Sequence, residues 1–297
     1  MEGEEVWRLW EAMRARAPLV QCITNLVSMD LMANTLLAAG ASPAMAHALD
    51  EVEDFVAIAD ALLVNVSNLS SDWNAAKKLA AARAVSLGKP WVLDPVGCGA
   101  TPYRTTACLQ MLRLRPTVVR GNASEIIALA AAAGDYQRPP GAAGGVKGVD
   151  STAGSHEALA AARALAAARG CVVAVSGATD LVTDGRVVLG VDNSVELLTR
   201  VTAAGCALTA LIAAFLAAAP AAGAGALEAA AAALAVFGVA GEAGLAGAPR
   251  PGPGSLRVGL LDALQLMGRE EVVRGARVRL IAAGGGGGGG GGDGRVQ

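Results

Sequence analysis

Aromatic side chains are scarce in this chain. Only 3% of its 297 residues are Phe, Trp or Tyr, whereas 54% are hydrophobic and only 17% are charged. Such a composition provides enough apolar surface for a large core and excludes disorder over most of the chain. Because large rings are few, the core must be built from close contacts between small side chains, mostly alanine. The length suits one large α/β domain or two small ones.

The sequence also lacks an excess of charge of either sign. Lys and Arg number 24 against 26 Asp and Glu, which gives a formal net charge of −2. Proteins that bind nucleic acid or anionic membranes usually carry a basic patch, so neither is an expected partner. The motifs GxxxxGK[ST] and GxGxxG are absent as well, which disfavours a Walker-type ATPase and a dinucleotide-dependent enzyme.

Histidine and paired cysteines are equally rare. His47 and His156 are the two histidines, and neither lies in a Cys or Asp cluster, so a histidine-based metal site is not expected. The five cysteines lack a CxxC pair, and their odd number argues against a disulfide framework. They are expected to be free thiols in a reducing compartment. These cysteines are Cys22, Cys98, Cys108, Cys171 and Cys206.

No stretch reads as a membrane span. The longest uncharged stretch, residues 202–227, is rich in alanine and is broken by Pro220 and several glycines, whereas a span needs about 20 strongly apolar residues. The acidic start, residues 1–5, matches neither a secretory signal nor an Arg-rich transit peptide. We therefore expect a soluble, cytoplasmic protein.

Helix and strand signals alternate along most of the chain. The strands are predicted at residues 19–23, 61–66, 91–93, 117–119 and 171–175. The helices are predicted at residues 5–15, 28–40, 72–86, 124–133, 155–169, 206–219, 227–246 and 259–267. This alternation indicates an α/β fold with a mostly parallel sheet covered by helices. Asp184-Gly185 between two β-branched runs predicts a hairpin, and hence an antiparallel edge.

The last segment of the chain contains nine consecutive glycines at residues 284–292. Such a run has no side chains to bury, so a disordered tail is expected. We therefore predict one folded domain over residues 1–280 and a glycine-rich tail over residues 281–297.

Polar residues and glycines cluster where predicted strands end, which is where open α/β sheets bind ligands. Asp94 ends a buried strand and could reach a metal ion or a phosphate, although Asp-Pro is also common in turns. Arg120 could hold phosphate oxygens, and Glu125 could hold Mg²⁺ directly or through water. Asn122 and Glu125 also have the spacing of a capping box, and the two interpretations are compatible.

A third cluster, residues 202–206 (TAAGC), precedes an apolar helix. The first N–H groups of that helix could stabilise the negative charge that develops in phosphoryl transfer. A cysteine at a helix N-terminus is expected to have a lowered pKa, so Cys206 could accept the proton of a substrate hydroxyl. The alternative is that Cys206 only packs in the core.

Eight segments in order, between about residue 17 and residue 268, resemble those of hydroxyethylthiazole kinases, a family of the ribokinase-like superfamily. The segments are residues 17–25 (APLVQCITN), 34–48 (NTLLAAGASPAMAHA), 93–104 (LDPVGCGATPYR), 120–126 (RGNASEI), 147–152 (KGVDST), 182–185 (VTDG), 201–208 (VTAAGCAL) and 252–255 (GPGS). The resemblance implies ATP and Mg²⁺ as co-substrate and metal, and 4-methyl-5-(2-hydroxyethyl)thiazole of thiamine salvage as the acceptor. It also implies a homotrimer with active sites between subunits.

The resemblance further assigns roles to single residues. Cys206 takes the position of the catalytic base, with Ala204 and Gly205 in the loop that holds the developing negative charge. The remaining positions are Asn25, Met45 and Ala203 for the thiazole, Arg120 and Ser176 for ATP, and Asp94 and Glu125 for Mg²⁺.

One departure from the family pattern lies in the third cluster. Relatives usually read Gly-Thr-Gly-Cys where this chain has Ala203-Ala204-Gly205-Cys206. A left-handed conformation at Ala203 would introduce strain of about 1 kcal/mol, and Ala204 lacks a hydroxyl for phosphate. Two alternatives remain open. One is a kinase of the same fold with another acceptor, such as a hydroxymethylpyrimidine or a sugar. The other is a catalytically weakened trimer that binds thiazole or ATP as a sensor or scaffold.

Overall fold

The computed structural model describes residues 1–138 and 155–283. Within those ranges the strands are β1 Leu19–Ile23, β2 Ser42–Ala44, β3 Ala61–Asn65, β4 Trp91–Asp94, β5 Val118–Asn122, β6 Val172–Ser176, β7 Asp180–Thr183, β8 Val188–Val191 and β9 Val278–Ala282. They form one sheet in the order β2-β1-β3-β4-β5-β6-β7-β8-β9. The first six are parallel, and β7, β8 and β9 are antiparallel. The predicted parallel sheet with an antiparallel edge is thus confirmed.

The α-helices of the described ranges cover both faces of this sheet. They are α1 Gly3–Arg16, α2 Met29–Ala39, α3 Val52–Ile58, α4 Ser71–Ser86, α5 Pro102–Leu112, α6 Ala123–Ala132, α7 Ser155–Arg169, α8 Ala204–Ala218, α9 Ala226–Ala246, α10 Pro253–Leu266 and α11 Arg269–Gly275. One core contains α1, α2, α8, α9 and α10, and the other contains α3 to α7. Successive strand residues alternate between these cores: Leu63 faces the first, and Leu62 and Val64 face the second.

Small side chains allow the helices of the first core to approach closely. A Cβ added to Gly244 of α9 would lie 2.4 Å from the backbone of Gly259 in α10. Most residues of α8 are buried alanine, leucine or isoleucine. The expectation of a core made from close contacts between small residues is therefore confirmed at this crossing.

Two helical segments of this core are long and apolar enough to cross a membrane by composition alone. They are Ala204–Ala222 and Ala226–Ala246, and 78% of each most apolar window is buried inside the fold. Both are core helices, as the interruption at Pro220 predicts for the first. The chain is accordingly a soluble protein.

Several elements differ from the sequence prediction. Three helices (α3, α5 and α11) and two strands (β2 and β9) were not predicted. The strands β2 and β9 are partly exposed edges without a full apolar signal. Helix α10 begins at Pro253, six residues before the predicted start at residue 259, because proline is well suited to the first turn.

Parts of the sequence prediction lie outside the described residues. These are the glycine run at residues 284–292, the segment KGVDST at residues 147–152, and most of the insertion at residues 138–145. Strand β9 continues to Ala282, two residues past the predicted domain boundary at residue 280.

Candidate active site

The sheet brings the predicted site residues to one edge, at the carboxyl ends of its parallel strands. Asp94 is the last residue of β4, and Asn65 ends the neighbouring β3 directly opposite it. Ser176 ends β6, and Asn25 follows β1 by two residues. The N-terminus of α8 reaches the same edge, because Cys206 and Thr209 contact residues of β3 and β4.

Asp94 is buried and tightly held. Its Oδ2 accepts hydrogen bonds from Asn65 Nδ2 at 3.0 Å and from Thr209 Oγ1 at 3.0 Å. Burial raises the pKa of the Asp94 carboxyl to about 7, the charge of Arg120 opposes this rise, and Glu125 adds to it. Among the described residues, Oδ1 accepts no hydrogen bond, so one carboxylate oxygen is left for a ligand.

Cys206 is the third residue of α8 and is half-buried, whereas the other four cysteines are fully buried. Its Sγ accepts a hydrogen bond from Asn65 Nδ2 at 3.3 Å. Burial and the nearby Asp94 raise the pKa of the Cys206 thiol to about 12. The expectation of a lowered pKa is therefore wrong. Cys206 does lie at a helix N-terminus, as predicted. Burial of the sulfur away from water, however, raises its pKa more than the helix N-terminus lowers it.

The loop before α8 has the geometry of an anion-binding site. Ala203, the N-cap residue, has φ 65° and ψ 2°, so it adopts the left-handed conformation for which strain was expected. The helix begins at Ala204, two residues before the predicted start. In the part of the chain that the structure describes, the N–H groups of Gly205 and Cys206 donate to no acceptor. These groups are free to bind an anion.

Arg120 lies against this loop. It is the third residue of β5, so the strand continues past Arg120, where the sequence prediction ended it. Its Nη2 donates to Ser176 Oγ at 2.8 Å. A Cβ on Gly205 would lie 2.7 Å from Arg120 Nη1, so a larger residue here would push the guanidinium of Arg120 aside. Arg120 Nε is buried without an acceptor in the described chain, which leaves donor capacity for an anionic ligand.

Glu125 caps the N-terminus of α6 and connects two loops by hydrogen bonds. Its Oε2 accepts from Asn122 N at 2.9 Å, and Asn122 Oδ1 accepts from Glu125 N at 2.9 Å. The predicted capping box is thus confirmed. Oε1 accepts from Gly97 N at 2.8 Å, which fixes the loop after Asp94. Burial raises the pKa of the Glu125 carboxyl, and the two backbone N–H groups oppose that rise.

Two of the three residues expected at the thiazole pocket, Asn25 and Met45, lie after the neighbouring strands β1 and β2. Asn25 Oδ1 accepts from Val27 N at 3.1 Å and from Ser28 N at 2.9 Å, which shapes the turn before α2. Asn25 Nδ2 donates to Asn65 Oδ1 at 3.4 Å. Met45 follows β2 and packs, half-buried, against the first core. His47 stacks on Trp73 at 4.2 Å between ring centroids.

Sequence reasoning missed three polar residues of this site: Asn65, Thr209 and Asp180. Each is a buried polar residue inside or beside an apolar element. A single polar residue in an apolar stretch of sequence was the signal that could have identified them. Asp180 Oδ1 accepts from Gly177 N at 2.8 Å and thereby holds the loop after Ser176. Burial raises the pKa of the Asp180 carboxyl to about 7. Asn65 connects Asn25, Asp94 and Cys206.

A dedicated metal cage is not found among the described residues, which contain no group of three or more His, Cys, Asp or Glu side chains placed to share an ion. Asp94 and Glu125 are nonetheless close enough for the charge of Glu125 to raise the pKa of the Asp94 carboxyl. Mg²⁺ commonly takes one or two carboxylates and completes its shell with water and phosphate oxygens. The residues present fit that mode.

Comparison with known proteins decides the family. The model of the hydroxyethylthiazole kinase family matches residues 10–270. Hydroxyethylthiazole kinase of Zea mays is 54% identical over 278 residues, which is 94% of each chain. The chain belongs to the hydroxyethylthiazole kinase family. Its relative of that name in Cereibacter sphaeroides is 49% identical over 268 residues, 90% of this chain and 96% of the relative.

Solved structures agree with this family membership. The hydroxyethylthiazole kinase structure from Pyrococcus horikoshii OT3 has a TM-score of 0.82 and 38% identity, covering 94% of this chain and 99% of that one. A pyridoxal kinase of Staphylococcus aureus in complex with AMP-PCP and pyridoxal has a TM-score of 0.58 at 16% identity, which shows a shared fold. The predicted family and ribokinase-like fold are both confirmed.

Proposed function

We propose that this chain transfers the γ-phosphoryl group of ATP to the primary hydroxyl of 4-methyl-5-(2-hydroxyethyl)thiazole, a reaction of thiamine salvage. Membership of the hydroxyethylthiazole kinase family supports the reaction and its acceptor. The main structural support for this site is the N-terminus of α8. There the N–H groups of Gly205 and Cys206, which have no acceptor among the described residues, lie near the guanidinium of Arg120 and the carboxylate of Asp94.

The phosphate groups of ATP are assigned to Arg120, Ser176 and the loop before α8. Arg120 has a buried donor without an acceptor in the described chain, and Ser176 holds its guanidinium in place. The N–H groups of Gly205 and Cys206, the two residues after Ala203 and Ala204, offset the negative charge that develops during transfer. Positioning and electrostatic stabilisation supply most of the acceleration in such reactions.

Mg²⁺ is assigned to Asp94 and Glu125, with water completing its shell. When bound, it neutralises charge on the phosphates of ATP. The hydrogen bonds that Asp94 Oδ2 accepts from Asn65 and Thr209 orient its other oxygen. Glu125, whose two oxygens each accept one backbone N–H, would hold the ion directly or through water.

Cys206 is assigned to the acceptor hydroxyl, beside Asn25, Met45 and Ala203. With the pKa of its thiol raised to about 12, Cys206 is protonated at neutral pH and is a poor general base at rest. Its sulfur therefore orients the hydroxyl by accepting a hydrogen bond. The hydroxyl proton leaves late, when the new bond to phosphorus has made it acidic, and a weak acceptor such as a carboxylate or phosphate oxygen then suffices.

The working molecule is proposed to be a cytoplasmic homotrimer with active sites between subunits. The apolar side chains of Leu26 and Val27 are 74% and 68% exposed directly beside Asn25. Cavities of about 540 and 350 Å³ lie between α9 and α10 and between α4 and α5, away from the predicted site residues. A neighbouring subunit over Leu26 and Val27 would cover the apolar patch and enclose the acceptor. Sedimentation velocity measures this directly, and a monomeric mass would contradict it.

ADP formation by the purified protein tests the reaction. We expect turnover with hydroxyethylthiazole and ATP, and its loss when either the thiazole or Mg²⁺ is left out. Faster turnover with a hydroxymethylpyrimidine or a sugar would reassign the acceptor. Binding of the thiazole without any ADP formation would favour the sensor alternative, in which the Ala203-Ala204 loop has disabled transfer.

A further inference from the structure

We propose that Asn65 is a positioning residue for phosphoryl transfer, which holds Cys206 and Asp94 in one fixed arrangement relative to Asn25. The proposal deepens the function proposed above and rests on it. Asn65 is fully buried at the end of β3, and its register partner in β4 is Asp94. The residues assigned to the thiazole, the metal ion and the acceptor hydroxyl (Asn25, Asp94 and Cys206) thus all hydrogen-bond to the side-chain amide of Asn65.

The hydrogen-bonding capacity of the Asn65 side chain is fully used. Its Nδ2 donates to Asp94 Oδ2 at 3.0 Å and to Cys206 Sγ at 3.3 Å. Its Oδ1 accepts from Ser67 N at 3.0 Å, from Ser67 Oγ at 2.5 Å and from Asn25 Nδ2 at 3.4 Å. A primary amide offers two donors on one side and an acceptor on the other, and this site uses all of them.

Ser67 fixes which way the amide faces. A backbone N–H can only donate, so the group that faces Ser67 N must be the amide oxygen. If the amide were turned over, Oδ1 would lie about 3 Å from a carboxylate oxygen, and Nδ2 would face the N–H of Ser67. Both contacts would be repulsive. The NH₂ group is therefore held toward Cys206 and Asp94 before any substrate arrives.

This arrangement connects the acceptor side of the site to the phosphate side. Asn25 shapes the turn before α2 and touches Asn65 Oδ1, while the opposite end of the same amide holds the sulfur and the carboxylate. In the described part of the chain, the side chains of Arg120 and Ser176 hydrogen-bond to each other, and Ser176 also to Gly121, rather than to Asn65. Asp94 would keep its hydrogen bond from Thr209, so loss of the amide should mainly disturb the alignment of the hydroxyl with phosphorus and leave ATP binding largely intact.

Steady-state kinetics of Asn65→Ala test the proposal. We expect kcat to fall at least about 10-fold, because small misplacements of reacting groups are costly, with the KM for ATP unchanged within about threefold. Ser67→Ala, which removes one hydrogen bond to the amide oxygen and keeps the backbone N–H that orients the amide, should show a smaller loss of kcat in the same direction. Asn74→Ala, the same substitution on α4 outside the site, is the matched control. Thermal melts confirm that each variant is folded.

A double-mutant cycle separates positioning from a general structural role. In a Cys206→Ala background, Asn65→Ala should lower kcat by less than it does in wild type, because the sulfur that it positions is gone and only the hydrogen bond to Asp94 remains to be lost. An equal loss in both backgrounds would overturn the inference, and so would a folded Asn65→Ala variant with wild-type kcat.

A second readout does not need turnover. Iodoacetamide labelling of Cys206, followed by peptide mass spectrometry, reports on the surroundings of the sulfur without any substrate. Asn65→Ala should change the labelling rate at least about threefold, since it removes a donor and opens space beside the thiol. A rate within twofold of wild type would overturn the inference. If labelling changes as expected while wild type shows no kinase activity, the placement of Cys206 stands and the proposed function fails.

Discussion

Ala203 holds a left-handed backbone conformation, with φ 65°, at the point where the chain enters α8. That conformation costs an alanine about 1 kcal/mol, and glycine adopts it without strain. Ala203→Gly should therefore raise the free energy of unfolding by about 0.5 kcal/mol, after the entropy that glycine gains in the unfolded chain is subtracted. Denaturant titration measures it. Ala204→Gly, one residue on in the helix, is the matched control and should be destabilising; equal effects of both substitutions would contradict strain at Ala203.

Cys206 is protonated at neutral pH in the present account, because burial raises the pKa of its thiol to about 12. A true general base contributes about 10²- to 10⁴-fold to a rate, whereas a residue that only orients the hydroxyl contributes less. Cys206→Ala should therefore lower kcat by about 10-fold, measured by ADP formation at saturating substrates. A loss above about 1,000-fold would restore the role of base, and an unchanged kcat would make Cys206 a bystander.

Asp180 makes stability depend on pH. Burial raises the pKa of its carboxyl from 3.8 in the unfolded chain to about 7 in the folded one. A raised carboxyl pKa gives stability that is fully present below about pH 4 and is lost as the pH rises to about 7. At ~1.4 kcal/mol per pKa unit, the loss is at most about 4 kcal/mol.

The substitution Asp180→Asn removes this titration and keeps an oxygen for the N–H of Gly177. The variant should be more stable than wild type at pH 8, and the difference should vanish near pH 4, as followed by denaturation across that range. Asp184→Asn is the control. The pKa of the Asp184 carboxyl is lowered, chiefly by N–H groups of Val187 and Arg186, so this change should give no gain at pH 8. A gain for both variants would contradict the assignment to burial.

At the scale of elements, the crossing of α9 and α10 depends on two glycines. A Cβ on Gly244 would lie 2.4 Å from backbone atoms of α10. Gly244→Ala should therefore lower the free energy of unfolding by about 1–3 kcal/mol, since the helices must separate. Gly254→Ala in α10 meets nothing within 4 Å and is the control. Thermal unfolding compares the two variants. Equal stabilities of Gly244→Ala and Gly254→Ala would contradict a tight crossing of α9 and α10.

The elements also show where sequence reasoning succeeds. Strands such as β3 and β4 are buried on both faces, so they appear as short apolar runs and were predicted within one or two residues. Helix α5 was missed although Thr101 and Pro102 form a recognisable helix start. Strand β9 was missed for a physical reason: as a partly exposed edge strand, it gains its stability from pairing with β8, which no local pattern reveals.

At the scale of the whole molecule, the sequence predicted which edge of the sheet holds the site. It did not predict the hydrogen bonds that connect the site residues to one another. Polar residues after buried strands predicted Asp94, Arg120 and Glu125. The role of Asn65 depends on the register of β3 against β4 and on the approach of α8, which are properties of the assembled fold. The pKa of the Cys206 thiol depends on depth of burial, so the position of the cysteine on its helix predicted the wrong direction.

We infer that phosphoryl transfer takes place at the N-terminus of α8 and depends on the carboxylate of Asp94. The most direct measurement is single-turnover formation of thiazole phosphate from ATP and Mg²⁺ by wild type and by Asp94→Asn. The asparagine keeps an oxygen for the donors of Asn65 and Thr209, so the variant should fold. We predict rapid product formation by wild type and a loss of at least about 100-fold in the variant. Equal rates from both proteins would contradict the account and place the chemistry elsewhere.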